Sequence, residues 1–343
     1  NLIYNTNMTK PVLEIKNLNV QYKTKGTVFN KEKVVNAVND LNLSVEKGEI
    51  IAVAGESGCG KSTLASAICR LIPVASGEIL FHGVDILKLK GKKLKVYRQA
   101  LQMIFQNPYS SLNPKKKVFD ILKEPLDVNS ELCTYSEDFR PLYEFSKYEI
   151  KNLILQVAES VGLDENSLKL YPHEFSGGQR QRIAIARALM MKPEFIIADE
   201  PVSALDVSIQ AQIINLLLNL KKELDLTVIF ISHDMNVIRQ IADRVAIMYL
   251  GRIVEIGTKE QVFKFPQHPY TRALLSAVPS FDKKESKIIL KGDLPSPTDL
   301  PKGCKFHTRC QYCMDKCKIE EPELKTFYDQ HQVACFLNED KSN

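Results

Sequence analysis

Apolar residues along this chain recur in short runs before they recur in helical stripes. Residues 12–15 and 18–22 read as two strands, and residues 41–45 alternate cleanly between apolar and polar positions. Ile50, Ile51, Ala52 and Val53 form an unbroken apolar run within residues 49–54, as expected for a sheet centre buried on both faces. Residues 77–81 return as a strand, with a turn at His82 and Gly83. Over residues 120–172 charge rises and β-branched runs thin out, which predicts a helical insertion that is irregular around residues 129–143. Strands and helices then alternate: a strand over 195–198, a helix from about Ser208 to Leu224, and a strand over 226–231. That helix places Ile209, Ile213, Leu216, Leu217 and Leu220 on one apolar face. The alternation predicts an α/β fold with a parallel core sheet. Residues 281–301 turn rich in Pro and Lys, the composition of a linker.

Composition narrows the class. The length of 343 residues suits a core of roughly 230–260 residues plus one appended module. With 44% hydrophobic and 25% charged residues the chain is neither disordered nor collagen-like. No apolar run approaches about 18 residues, so no transmembrane helix is expected. Nor does the start show the basic and apolar order of a signal peptide. Residues 1–10, around Met8, are set aside as a disordered leader or start-site artefact. A net charge of +5 does not argue for an anionic partner, and Lys88, Lys90, Lys92, Lys93 and Lys95 read as a solvated face. Of the 8 cysteines, Cys59, Cys69 and Cys133 are scattered while Cys304, Cys310, Cys313, Cys317 and Cys335 crowd the C-terminal end. A chain this long needs no covalent staple, so in a cytosolic setting the cluster reads as a metal site before disulfides.

The chemistry concentrates in a few motifs. Gly55, Glu56, Ser57, Gly58, Cys59, Gly60, Lys61, Ser62 and Thr63 match the phosphate-loop pattern G-x-x-x-x-G-K-[ST], between an apolar strand and a helix start. Backbone N–H groups there turn toward phosphate oxygens, Lys61 reaches the β/γ-phosphates and Ser62 meets Mg²⁺. The run 195–198 ends in Asp199, a Mg²⁺ ligand through water, and Glu200, placed to activate an attacking water. Ser176, Gly177, Gly178 and Gln179 stand before a helix predicted over 180–191 as a second phosphate cradle. Gln106 ends the apolar strand 102–105, and His233 follows the strand that closes at Ile231 and Ser232.

In this order the motifs resemble the ATP-binding cassette of ABC transporters, over about Val12 to Gly257. The resemblance implies a P-loop cassette at 11–258 with an antiparallel β subdomain and a helical subdomain at 120–172. It also implies that two cassettes face head to tail, so that Ser176, Gly177, Gly178 and Gln179 contact ATP held by the other subunit. Tyr22 then matches the aromatic that stacks on adenine, Asp206 the loop linking the two sites, and His233 the γ-phosphate switch. Gln106 matches the Mg²⁺ and hinge position at the helical insertion. Phe175 departs from the commonest Leu, and no catalytic position is missing, so ATP hydrolysis is expected.

A narrower resemblance rests on residues 105–114, 200–207 and 268–275, which look like the ATPases of bacterial dipeptide/oligopeptide importers. The run after Ser176 leans toward the F component over its D paralogue. By that resemblance residues 259–343 form a C-terminal extension in which Cys304, Cys310, Cys317 and Cys335 hold a [4Fe–4S] cluster. Zn²⁺ stays open because Cys310 and Cys313 form a C-x-x-C pair, four thiolates suiting either metal. The implied partners are a paralogous ATPase subunit, two transmembrane permeases and, indirectly, an extracytoplasmic peptide-binding protein, with no nucleic acid. The implied location is the cytoplasmic face of the membrane. Other cargo (nickel, glutathione) and a soluble cassette acting on ribosomes or DNA stay open as alternatives.

Overall fold

A computed structural model describes residues 11–24, 33–131, 142–278, 288–290 and 292–341. The expected leader, Cys133, the middle of the irregular insertion segment and part of the linker lie outside the described residues. The chain opens with β1 (Leu13–Thr24) and β2 (Lys33–Val45), passes through β3 (Ile50–Ala54) into α1 (Lys61–Ile68), and returns as β4 (Ser76–Phe81) and β5 (Val84–Asp85). Helix α2 (Gly91–Ala100) leads into β6 (Leu101–Ile104), then α3 (Pro108–Ser111), α4 (Val118–Val128), α5 (Lys147–Ser160) and α6 (Gly177–Leu189). Next come β7 (Phe195–Asp199), α7 (Val207–Leu224), β8 (Thr227–Ser232), α8 (Met235–Ile241), β9 (Arg244–Tyr249) and β10 (Arg252–Thr258). The last elements are α9 (Lys259–Lys264), α10 (Pro269–Ser276), α11 (Asp315–Ile319) and the pair β11 (Lys325–Tyr328) and β12 (His331–Val333).

The central sheet has eight strands in the order β11-β12-β10-β9-β3-β8-β7-β6. From β9 to β6 the strands run parallel. The other three pair antiparallel, so the expected parallel core sheet is a mixed one. Successive side chains of a strand point to opposite faces, and the core divides accordingly. On β7 and β8, Ile196, Ala198, Val228 and Phe230 pack with the helices of the insertion and α7. Phe195, Ile197, Ile229 and Ile231 pack instead under α1 and the second sheet. That second sheet is antiparallel, in the order β2-β1-β4-β5, as the cassette resemblance implies.

Two expectations about local structure change. The two strands expected at 12–15 and 18–22 are one strand, β1, with register shifts between Ile15 and Leu18 and again beyond. Asn17 takes the left-handed conformation there (φ 47°). It remains hydrogen-bonded, its N–H donating to Asn42 Oδ1 at 2.9 Å and its side-chain amide to Asp40 Oδ1 at 2.8 Å. The helix expected from Arg180 starts at Gly177, because Ser176 caps it. The helical insertion forms where charge rises, and its two ends are tied where the Val118 N–H donates to Leu170 O at 2.9 Å.

The C-terminal extension is not an appendage beyond a linker. Its strand β12 adds to β10, with Glu255 opposite Val333 and Ile256 opposite Gln332, so sheet continuity crosses the expected 258/259 boundary. Glu255 has no exposure and joins three segments. It accepts from the N–H groups of Gln267 (2.8 Å) and His268 (2.9 Å) and lies 2.7 Å from His331 Nε2. Phe306 closes the seam edge-on to Tyr249, its ring centroid 5.3 Å away.

Candidate functional site

The loop between β3 and α1 is shaped by its glycines. Gly60 has φ 106°, and a Cβ there would stand 2.1 Å from the Ala37 carbonyl oxygen, so only glycine fits. Lys61 opens α1 with its side chain buried and donates from Nζ to the carbonyl oxygens of Gly55 (2.7 Å) and Glu56 (3.0 Å). Cys59 is buried beneath the loop, where burial pushes its thiol up, and its Sγ lies 3.8 Å from Lys61 Nζ. Thr63 accepts from the Tyr22 hydroxyl at 3.5 Å, and the Tyr22 ring is 40% exposed beside the loop.

Acidic and amide groups meet this loop from the neighbouring strands. Ser62 Oγ donates to Asp199 Oδ1 at 3.1 Å. Burial pushes the Asp199 carboxyl up, and the Ser62 hydrogen bond partly opposes that. Glu200 follows in the left-handed region (φ 46°), a strained conformation for a non-glycine residue that is fixed by its N–H donating to Ile231 O at 2.9 Å. Its carboxylate accepts from Gln106 Nε2 at 2.8 Å and lies 3.2 Å from His233 Nδ1. The loops carrying Gly55–Gly60, Asp199 with Glu200, Gln106 and His233 all leave the carboxyl ends of the adjacent parallel strands β3, β8, β7 and β6. Open α/β sheets bind ligands in that position. The arrangement offers a phosphate cradle, one cation, a metal-binding hydroxyl–carboxylate pair and a fixed carboxylate base.

Residues 176–179 stand elsewhere. Ser176 Oγ accepts from the Gln179 N–H at 3.3 Å while Gln179 Oε1 accepts from the Ser176 N–H at 3.0 Å, a capping box that starts α6. Gly178 allows α7 to approach, since a Cβ there would stand 2.4 Å from Ile209 Cγ2. Asp206 caps α7, and hydrogen bonds from the Ser208 hydroxyl and the Ile209 N–H hold its carboxyl below the usual range. Arg180 stacks over the Tyr109 ring at 4.0 Å, tying α6 to the segment that follows Gln106. Among the described residues no hydrogen bond joins 176–179 to 55–63.

Two contacts to the phosphate loop carry no motif of their own. The Tyr270 hydroxyl accepts from the Glu56 N–H at 2.9 Å, and Arg309 grips the Glu56 carboxylate through Nη1 (2.8 Å) and Nη2 (3.2 Å). Both residues fall in C-terminal segments marked by the importer resemblance, which was the available signal. The pairing across more than two hundred positions left no local trace.

Comparison with known proteins now decides the family. Residues 38–203 match the ABC transporter model, and residues 254–317 match the C-terminal region of oligopeptide/dipeptide transporters. The dipeptide transport ATP-binding protein DppF of Escherichia coli is 46% identical over 338 residues, covering 98% of this chain and 97% of the relative. The chain belongs to the ATP-binding proteins of dipeptide and oligopeptide ABC transporters. The oligopeptide transport ATP-binding protein AppF of Bacillus subtilis is also 46% identical, over 332 residues, 95% of this chain and 97% of that one. A dimeric, ADP- and Pi-bound ATP-binding cassette, MJ0796, superposes with a TM-score of 0.61 at 28% identity, over 72% of this subunit and 98% of that chain. The fold is that of an ABC-type ATPase.

In this ATP-binding subunit Cys304, Cys310, Cys317 and Cys335 line one apolar cavity of about 10 Å³, and Cys313 does not. Burial pushes Cys304 up to about 12 and Cys335 to about 11, and Cys310 upward as well. No group of three or more Cys, His, Asp or Glu among the described residues is set in metal-binding geometry. Four thiols on one cavity are nevertheless the donor type that a thiophilic metal would take.

Proposed function

We propose that this subunit hydrolyses Mg²⁺–ATP to drive import of dipeptides or oligopeptides through membrane permeases. The carrying observation is the Glu200 carboxylate, held between Gln106 and His233 beside the Ser62–Asp199 pair. Lys61 would leave the Gly55 and Glu56 carbonyls for the β/γ-phosphates, while Ser62 and Asp199 would hold Mg²⁺. Glu200 accepts a proton from water as its oxygen bonds to the γ-phosphorus and the bond to the β–γ bridging oxygen breaks, releasing ADP and phosphate. His233 contacts the γ-phosphate, Tyr22 stacks on adenine, and Gln106 passes the change to the helical insertion. Ser176, Gly177, Gly178 and Gln179 serve the ATP of a facing paralogous subunit, a reading supported by the dimeric state of the similar cassette MJ0796. No helix among the described residues is long and apolar enough to cross a membrane. The subunit's similarity to importer ATP-binding proteins supports docking on the cytoplasmic side of permeases fed by an extracytoplasmic peptide-binding protein.

Cys304, Cys310, Cys317 and Cys335 would hold a [4Fe–4S] cluster, with Zn²⁺ as the other group their thiolates suit. When bound, it cross-links residues 304–317 to β12's end and compensates the charge of thiolates that burial disfavours. The test of the catalytic reading is Glu200→Gln. ATP hydrolysis should fall at least about hundredfold with ATP binding retained, as for loss of a general base. Turnover equal to the parent would remove Glu200 from its role.

A further inference from the structure

The C-terminal extension reaches the phosphate loop through one side chain. Arg309, 9% exposed, meets Glu56, 27% exposed, in a two-pronged ion pair (2.8 and 3.2 Å). Glu56 is the residue after the first glycine of the phosphate loop, and its backbone is held on both sides. Its carbonyl accepts from Lys61 (3.0 Å) and its N–H donates to Tyr270 (2.9 Å). Arg309 is fixed by its own loop, donating its N–H to Phe306 O at 3.0 Å, and Phe306 is buried against Tyr249 and Tyr270.

A carboxylate at that position is a hazard for a site meant to hold a polyphosphate. Unpaired, Glu56 would repel the nucleotide at short range through a partly shielded medium. The planar guanidinium neutralises it with fixed geometry, which a lysine ammonium would not reproduce. We infer that Arg309 is a positioning residue for ATP binding: it neutralises and orients Glu56, so that the Cys-rich extension sets the nucleotide affinity of its own subunit's phosphate loop. The inference rests on the ATP site proposed above.

The test is Mg²⁺–ATP titration of the full chain in a Glu200→Gln background, by calorimetry. Arg309→Ala should weaken Kd about tenfold, the loss of a charge-assisted pair that leaves one charge behind. Adding Glu56→Gln to Arg309→Ala should bring Kd back to within about threefold of the parent, because the orphaned charge is gone. The Arg309→Ala defect should also shrink as salt is raised from about 0.05 to 0.5 M. A merely structural role for Arg309 predicts neither rescue nor salt dependence. Parent-like affinity in Arg309→Ala, or a double variant as weak as Arg309→Ala, overturns the inference. Failure of the Glu200→Gln background itself to bind ATP would instead overturn the site reading, which keeps the two outcomes apart.

Discussion

The phosphate loop and the cysteine cluster are both dense in chemistry, yet they settle their polar groups in opposite ways. Around the loop every working side chain has an internal partner: Lys61 on two carbonyls, Ser62 on Asp199, Glu200 between Gln106 and His233. Those partners are the kind a nucleotide and Mg²⁺ exchange for, so the site is assembled before ligand arrives. The cysteines are held differently: Cys304, Cys310 and Cys335 accept from the backbone N–H groups of Phe306, Tyr312 and Leu337, while burial pushes all three thiols up. One site is preorganised by hydrogen bonds among its own side chains, the other gathers buried thiols held by backbone N–H groups, for which a bound cation is the proposal. Arg309 joins the two, because it lies between Phe306 and Cys310 and holds Glu56.

The largest effect should come from attacking preorganisation directly. Gly60→Ala places a methyl 2.1 Å from the Ala37 carbonyl oxygen at φ 106°, against backbone that cannot swing aside. Strain and overpacking together should cost about 3 kcal/mol or more. Thermal unfolding should drop by several degrees and ATP binding should be lost beyond detection. A stable variant that binds ATP normally would mean that the loop is adaptable, and the contrast with the cysteine site would dissolve.

The loop was legible because its pattern is contiguous and its flanking strand is apolar on both faces; β3, β7 and β8 share that property. Legibility fails where structure depends on distant partners. Residues 325–328 and 331–333 look unremarkable alone, and they become strands only because Glu255 receives His331 in a buried site on β10. Likewise the two strands expected before residue 22 are one, since Asn17 absorbs a left-handed turn with help from Asn42 and Asp40 on β2. The start of α6 was readable in principle: Ser176 and Gln179 have the S-x-x-Q spacing of a capping box. Taken as a phosphate cradle ahead of the helix, the same residues put its expected start at Arg180 and not at Gly177. Glu56 with Arg309 is the limiting case, an ion pair at the centre of the best motif whose second member no local pattern reveals.

The cysteine side of the comparison is sharpened by metal content. Anaerobically purified protein should carry iron and sulfide, and Cys304→Ser should abolish most of it, while Cys313→Ser should leave it intact because Cys313 stands off the shared cavity. Zinc in place of iron, lost with the same four residues, would keep the site and change its occupant. Metal unaffected by Cys304→Ser would leave these as ordinary buried thiols, and the proposed metal site would fail.

The smallest effect separates folding from function at the signature segment. Ser176→Ala removes the side-chain acceptor for the Gln179 N–H, and loss of an N-cap costs about 1 kcal/mol. Urea unfolding of the isolated subunit should register that and no more, and ATP binding to the subunit's own phosphate loop should be unchanged, since among the described residues no hydrogen bond connects 176–179 with 55–63. On the proposal that this helix start serves the partner's ATP, hydrolysis in the assembled transporter should nevertheless fall by much more than so slight a destabilisation explains. If binding by the isolated subunit falls as steeply as hydrolysis by the complex, the cap supports its own loop through the core. The division of one ATP site between two chains would then be the wrong description of residues 176–179.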